Sequence, residues 1–349
     1  MNDFPYLQRC LHLARQGGSR VFPNPQVGAV IVYQDQIIGE GFHPYAGGSH
    51  AEVAAVASVK DRSLLTTARL YVNLEPCNFY GKTPPCTELI LKHQIPEVIV
   101  GCKDPNPRVA GKGIARLRAA GVLVRLADDP KAYQDFNRIF FKNQQEKRPY
   151  VVLKWAQTAD GFIATIKSGQ AQATAITSEA ANAYVHKLRA RHQAIMVGRR
   201  TAQIDNPRLN TRKFYGSSPI RIVFDRTLKL SHKLHIFSDG APTIILNDYK
   251  NKEQAALRHF VPDQWKDLDK LMKQLYLDLG ICSILVEGGS HLLQQFIDQE
   301  VYDEIHCFKA PHALKQGLAA PVLVPHFAFD SSRMLGKDLL LYQDFLQQK

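Results

Sequence analysis

No apolar run in this 349-residue chain approaches the ~18–20 residues that cross a bilayer, so no membrane span is expected. The opening Met1-Asn2-Asp3-Phe4-Pro5 has neither the basic n-region nor the apolar h-region of a secretory signal, and a cytoplasmic location is the expectation. Cysteine is sparse. Six in a chain of this length do not make a disulfide framework. Four of them, Cys10, Cys102, Cys282 and Cys307, lie in mostly apolar segments and read as buried thiols. Basic blocks are also missing. Lys and Arg outnumber Asp and Glu 44 to 32, for a formal charge of +12, yet they are dispersed, with no five or six in a row. The charge reads as solubility and attraction for small phosphorylated substrates, and no nucleic-acid partner is expected. A G-x-G-x-x-G fingerprint is absent, which argues against a Rossmann domain, and there is no internal repeat or low-complexity tract.

What is present is an ordinary globular composition, 45% hydrophobic and 22% charged, at a length that favours two domains. Phe4, Leu7, Leu11 and Ala14 at helical spacing predict a helix over 4–16 with Asp3 as N-cap. Segments 27–33 and 36–41 read as a hairpin about Gln34-Asp35. Helices are expected at 50–60, 87–93 and 115–120, and strands at 70–74, 97–101 and 122–126. This alternation predicts a three-layer α/β domain. After a helical stretch over 131–142, the polar run Asn143 to Pro149 reads as a linker. The pattern then restarts, with strands at 150–155, 194–198, 220–224, 243–246, 284–287, 304–308 and 339–341. Helices are expected at 178–191, capped by Ser178, and at 268–279 and 291–298. The domains are taken as 1–146 and 147–349.

The stretch from His50 to Cys86 organises the first half. It contains H50-A51-E52-V53 and L74-E75-P76-C77-N78-F79-Y80-G81-K82-T83-P84-P85-C86. One His and two Cys suit zinc with a fourth coordination position left open. Glu52, two residues after the His, is placed to move protons without ligating. H-x-E followed by P-C-x-x-C is the pattern of zinc nucleobase deaminases, although the cysteines here are separated by eight residues. Taken alone, each residue reads as a surface His, a solvated Glu or a free thiol; in this order and spacing they read as a metal site.

Together with Pro23-Asn24-Pro25, Val27-Gly28 and Asp104-Pro105-Asn106-Pro107, these residues make the chain resemble the bifunctional deaminase–reductases of riboflavin biosynthesis. The resemblance continues through Leu153-Lys154, Asp160-Gly161, Thr177-Ser178, Leu188-Arg189-Ala190, Asp205-x-Pro207-x-Leu209, Arg212, Glu287-Gly288-Gly289 and Asp303-Glu304. It implies an N-terminal cytidine-deaminase-like domain and a dihydrofolate-reductase-like α/β domain. It also implies one zinc per chain, NADPH, a small phosphorylated pyrimidine substrate and a homo-oligomer.

The implied reactions are hydrolytic deamination of a diaminopyrimidinone ribosylamine 5′-phosphate and then reduction of its ribosyl unit to ribityl. By motif, His50, Cys77 and Cys86 would ligate zinc and Glu52 would carry protons. Asn24, Lys82, Asp104 and Asn106 would contact the first substrate. Lys154, Arg189, Leu209, Arg212 and Glu287 would contact the second. Ala156, Thr201 and Asp205 would contact NADPH, with Gly288 and Gly289 offering backbone N–H groups to its pyrophosphate.

Three positions depart from the family pattern. Asn78-Phe79 replaces Ser-His. Phe162 follows Asp160-Gly161 where Arg or Lys is usual. The segment Gly169 to Thr177 is two residues longer than usual, with Ala175 in place of Trp. An active but weakened reductase is the expectation. The alternatives are a reductase domain retained as a structural module, and a nucleic-acid deaminase.

Overall fold

The computed structural model describes residues 3–81, 84–107, 109–324 and 327–344. The chain divides into two compact units, Met1–Glu146 and Lys147–Lys349. In the first, α1 (Phe4–Ala14) precedes the hairpin β1 (Gly28–Tyr33) and β2 (Gln36–Phe42). Then come α2 (Ala51–Ser58), β3 (Arg69–Val72), α3 (Cys86–Lys92), β4 (Glu97–Val100), α4 (Lys112–Ala119), β5 (Leu123–Leu126), α5 (Pro130–Phe136) and α6 (Arg138–Glu146). The hairpin turns through Gln34 and Asp35 at φ 46° and 60°, the left-handed pair that a two-residue turn needs to match strand twist.

The sheet order is β2-β1-β3-β4-β5, antiparallel from β2 to β3 and parallel from β3 to β5. Side chains alternate between two buried faces. Ala29, Ile31, Leu70, Val72, Val98 and Val100 pack with residues of α2, α3 and α4. Val30, Val32, Tyr71 and Ile99 pack with residues of α1, α5 and α6. This is the three-layer arrangement that the sequence predicts.

Asp3 does occupy the N-cap position of α1, but without a side-chain cap. Its carboxylate instead accepts from Tyr71 Oη at 2.9 Å and from Arg125. The predicted linker is also shorter than its polarity suggests. Helix α6 runs on to Glu146, with Lys142 and Glu146 paired one turn apart at 2.6 Å, and the left-handed Lys147 (φ 56°) follows it.

The second unit contains β6 (Tyr150–Gln157), β7 (Phe162–Lys167), β8 (Gln170–Gln172), α7 (Glu179–Arg191), β9 (Ala194–Gly198), α8 (Arg199–Asp205), β10 (Ile220–Phe224), α9 (His235–Ser238) and β11 (Thr243–Leu246). It continues with β12 (Lys252–Gln254), β13 (Leu257–Phe260), α10 (Leu268–Leu279), β14 (Ser283–Val286), α11 (Ser290–Asp298), β15 (Glu304–Lys309), β16 (Leu318–Ala319), β17 (Ser331–Leu335) and β18 (Asp338–Asp344). A ten-stranded sheet has the order β12-β13-β11-β10-β9-β14-β6-β15-β18-β17. The strands from β13 to β15 are mutually parallel. That explains why Ala194 to Val197 and Ser283 to Val286 are buried without alternation. A separate small sheet, β16-β7-β8, turns at Ser168-Gly169, both left-handed. Its short strands lack a readable period, and the sequence does not announce them.

The entry to the second unit is pinned by a buried ion pair. Arg148 grips Asp303 at 2.7 and 2.9 Å, and Val151 N–H donates to the same carboxylate at 2.8 Å. Replacing Asp303 with Ala leaves a buried guanidinium without this partner. The expected cost is ~3–5 kcal/mol, measured as a drop in the midpoint of the second unit's unfolding; an unchanged midpoint would refute a structural role for the pair.

Candidate active sites

In the first unit, His50 is the N-cap residue of α2, with extended backbone (ψ 156°). Its position depends on how closely α2 lies on β2. A Cβ at Gly41 would come within 2.4 Å of Ala55 N, so only glycine permits that approach. Cys86 opens α3, whereas Cys77 lies in the loop before it and accepts from Cys86 N–H at 3.3 Å. His50 Nδ1 is 3.1 Å from Cys86 Sγ and 3.5 Å from Cys77 Sγ. All three ligand atoms lie within 4.8 Å of one another.

Two soft sulfurs and one imidazole at these separations fit a tetrahedral zinc with one open position. The electrostatics agree. The Cys77 thiol is held well below its ordinary value by the Cys86 thiol and by His50, while Cys86 is pushed up by sharing that proton and by burial. A divalent cation would take the place of the shared proton. Glu52 is 4% exposed, and burial, followed by the charge of Cys77, raises its carboxyl. A buried carboxyl beside the ligand cluster can both accept and return a proton.

Around this cluster, Asn24 Nδ2 lies 3.0 Å from His43 Nε2, and His43 Nδ1 lies 2.9 Å from Ser49 O. The carbonyl can only accept, so Nδ1 carries the proton and Asn24 donates to Nε2. Asp104 is 8% exposed; burial pushes it up to about 6, and it accepts from Asn106 N–H at 2.7 Å. Lys82 lies outside the described residues. Asn78 accepts from Thr87 Oγ1 at 2.9 Å, so the segment after Cys77 is tied to the residue after Cys86.

In the first unit, two residues with organising roles escape the sequence reading. One is His43. The other is Glu75, whose buried carboxylate accepts from the N–H groups of Asp104, Gly111 and Ile114 at 2.9–3.3 Å and so ties Asp104 and the opening of α4 to the segment that carries Cys77. Glu75 stands inside L-E-P-C, so its position was visible, but partners 29 to 39 residues away were not.

The second unit has a cleft of about 1160 Å³ at the C-terminal ends of its parallel strands, where α/β sheets bind ligands. Lys154, Ala156, Thr201, Asp205, Glu287, Gly288 and Gly289 all line it, as does Ala175. Arg189, Leu209 and Arg212 do not. Arg189 is held behind the wall, where its fork grips Glu287 at 2.8 and 2.7 Å and donates to Asn210 O. Leu209 is 2% exposed within a hydrophobic cluster. Arg212 is exposed and bonds Asn210 Oδ1 at 3.0 Å.

Burial alone would raise Glu287, but the charge and hydrogen bonds of Arg189, with the charge of Lys154, hold it down at about 2. Lys154 is lowered by burial, and its ammonium sits 5.4 Å over the Phe308 ring. Asp205 opens onto the cleft, yet the surrounding protein still raises its carboxyl. His186, one turn before Arg189, is buried and lowered to about 4 by burial and then by Arg189 and Arg212. It was missed because a lone His in a helix carries no sequence pattern. The four remaining cysteines are buried thiols as expected, each raised by burial.

Comparison with known proteins agrees with this two-site layout. The family model of the cytidine and deoxycytidylate deaminase zinc-binding region matches residues 2–102, and that of the RibD C-terminal domain matches residues 149–341. The riboflavin biosynthesis protein RibD of Synechocystis is 38% identical over 94% of this chain and 89% of its own. The Escherichia coli RibD is 32% identical over 98% and 99%. Among solved structures, the diaminohydroxyphosphoribosylaminopyrimidine deaminase/5-amino-6-(5-phosphoribosylamino)uracil reductase of Thermotoga maritima superposes with a TM-score of 0.88 at 33% identity, covering 97% of both chains.

These matches do not favour a reductase domain kept only as a structural module, nor a nucleic-acid deaminase. No helix among the described residues is long and apolar enough to cross a membrane. Zinc and NADPH are the cofactors of the two reactions, deamination and then reduction. The chain belongs to the RibD family of bifunctional riboflavin-biosynthesis enzymes.

Proposed function

We propose that His50, Cys77 and Cys86 hold the zinc, that Glu52 carries protons in deamination, and that Asn24, Asp104, Asn106 and Lys82 bind the diaminopyrimidinone ribosylamine 5′-phosphate. The observation that carries this reading is a buried carboxyl, raised by its surroundings, two residues from a ligand of a three-donor cluster. Zinc bound there supplies a Lewis acid that lowers the pKa of water to about 7. Glu52 takes a proton in its carboxylate form and returns it to the leaving nitrogen. Asn24, its amide turned by His43, keeps Oδ1 free to accept from a ring N–H or amine.

In the reductase unit, 147–349 on this reading, Glu287 and Lys154 face the sugar, with Arg189 holding Glu287 in place. Arg212 and Leu209 belong to the loop that backs this wall. Thr201, Asp205, Ala156, Gly288 and Gly289 face NADPH. Glu287→Gln in the full chain tests the assignment. Reductase turnover should fall at least tenfold while deamination persists; retention of reductase turnover would remove Glu287 from the site.

A pH dependence follows from the same group. Its pKa is depressed from the ordinary 4.5 to about 2, so its stabilisation is complete above 4.5 and is lost as pH falls toward 2. It amounts to about 3 kcal/mol, and acid unfolding of the Glu287→Gln variant should lose that part of its pH dependence. We further propose a homo-oligomer in the cytoplasm, in keeping with the soluble biosynthetic chemistry; light scattering and cell fractionation test the two statements.

A further inference from the structure

Lys154 is a cation for which the protein supplies no paired anion. It lines the large cleft from β6, yet among the described residues its ammonium makes no hydrogen bond and no ion pair. The charge of Glu287 reaches it and opposes the lowering that burial imposes on Lys154. Both oxygens of that carboxylate are already engaged, however, Oε1 by Arg189 Nε at 2.8 Å and Oε2 by Arg189 Nη2 at 2.7 Å. A charge drawn out of water without a partner is costly, so another group must hold the ammonium where it is.

That group is a ring. Lys154 Nζ sits over the face of Phe308, 5.4 Å from its centroid, inside the ~6 Å over which an aromatic quadrupole attracts a cation. The sheet builds this contact. Strands β6 and β15 are parallel, with Lys154 beside His306 and Ala156 beside Phe308, so Lys154 and Phe308 stand on one face of the sheet. Trp155 and Cys307, on the opposite face, belong to a separate core cluster. Phe308 is fully buried among Ala181 and Val185 of α7 and Leu340 of β18. The Tyr184 ring meets it at 6.1 Å, inclined by 62°. These contacts fix the plane of the ring.

Helix α7 thereby sets both surroundings of the ammonium. Through Arg189 it engages the carboxylate of Glu287, and through Ala181, Tyr184 and Val185 it packs Phe308 in place. The consequence is chemical. An ion pair with Glu287 would spend the N–H donors of Lys154 on the protein. A ring face attracts the cation and leaves donors over for a ligand oxygen.

We propose that Phe308 is a positioning residue of the reductase: its ring holds the Lys154 ammonium in the cleft with donors free for the sugar of the deaminated substrate. The proposal rests on the reading of Lys154 as a contact of that sugar.

The test alters the electrons of the ring and keeps its shape. Phe308 is exchanged in the full chain for mono-, di- and trifluorophenylalanine, in which each fluorine draws electron density from the face and weakens its pull on a cation. Calorimetric affinity for the deaminated substrate, and reductase kcat/KM with it, should fall stepwise along the series, by about 3–30-fold at the trifluoro ring. NADPH affinity should change less than about twofold, and the unfolding midpoint of the second unit should stay at the wild-type value. In a Lys154→Met background, substrate affinity should not vary along the series, since no cation remains over the ring. Equal affinity and kcat/KM for every ring would reduce Phe308 to packing and overturn the proposal. So would a stepwise fall that persists in Lys154→Met, which would give the ring another target. Full reductase turnover in Lys154→Met itself is a separate failure: it removes Lys154 from the sugar, and the role proposed for Phe308 goes with it.

Discussion

Cys77→Ala is expected to abolish both zinc binding and deamination. Two donors remain in that variant, His50 and Cys86, too few for the four-coordinate site that zinc prefers. The thiol removed is also the one that its neighbours already hold toward the thiolate. The loss extends beyond the ligand. Cys77 Sγ accepts the Cys86 N–H at the opening of α3, and that donor would be left without this partner. Metal analysis of the purified variant should therefore give no zinc per chain, and turnover should sit at background. Reductase turnover with deaminated substrate should persist, because the large cleft of the second unit is lined entirely by residues 154 to 318. Full zinc occupancy in Cys77→Ala would sink the ligand assignment.

Glu52→Gln separates metal from chemistry. Gln is nearly isosteric and fits the same buried space, so zinc content should equal that of wild type. What it lacks is a carboxyl oxygen that can take up and return a proton. General acid–base groups contribute about 10²–10⁴-fold, and a loss of that size in deaminase kcat, with KM little changed, is the expected result. Activity within a few-fold of wild type would leave Glu52 as a buried structural carboxyl. The pair of variants is diagnostic because Cys77→Ala loses metal and turnover together, whereas Glu52→Gln loses turnover alone.

The grouping of His50, Cys77 and Cys86 was legible in the sequence because metal-binding chemistry constrains residue type and spacing at once. A His before a helical Glu and two cysteines flanking a Pro-Pro turn leave few other readings. The reductase site was less legible. Lys154 and Glu287 are brought together by adjacent parallel strands, pairing that no local pattern encodes. Arg189 was expected to contact the second substrate, yet its fork is spent on Glu287; sequence reports the cation but not the acid it meets. The shortened linker has a similar cause. The stretch 143–146 is polar, but Lys142 and Glu146 pair one helical turn apart, and intrahelical pairs of that kind look like loop composition when read as a string. The hairpin of β7 and β8 was missed because strands of three to six residues with mixed exposure have no period to find.

The order of strands in the larger sheet also bears on how the chain comes off the ribosome. Strand β6 is the first strand of its unit to be made, yet it ends up between β14 and β15, with Val151 beside Ile284 and Val152 beside Glu304. Contacts this far apart in sequence form late and slowly. The deaminase unit, complete by Glu146, can fold while synthesis continues. The apolar Tyr150-Val151-Val152-Leu153 must wait with both edges unpaired until β14 has been made, and with one edge open until the chain has passed Glu304. A nascent or truncated chain that stops before that point carries a folded zinc domain joined to an open, sticky strand, the kind of edge that recruits chaperones or aggregates.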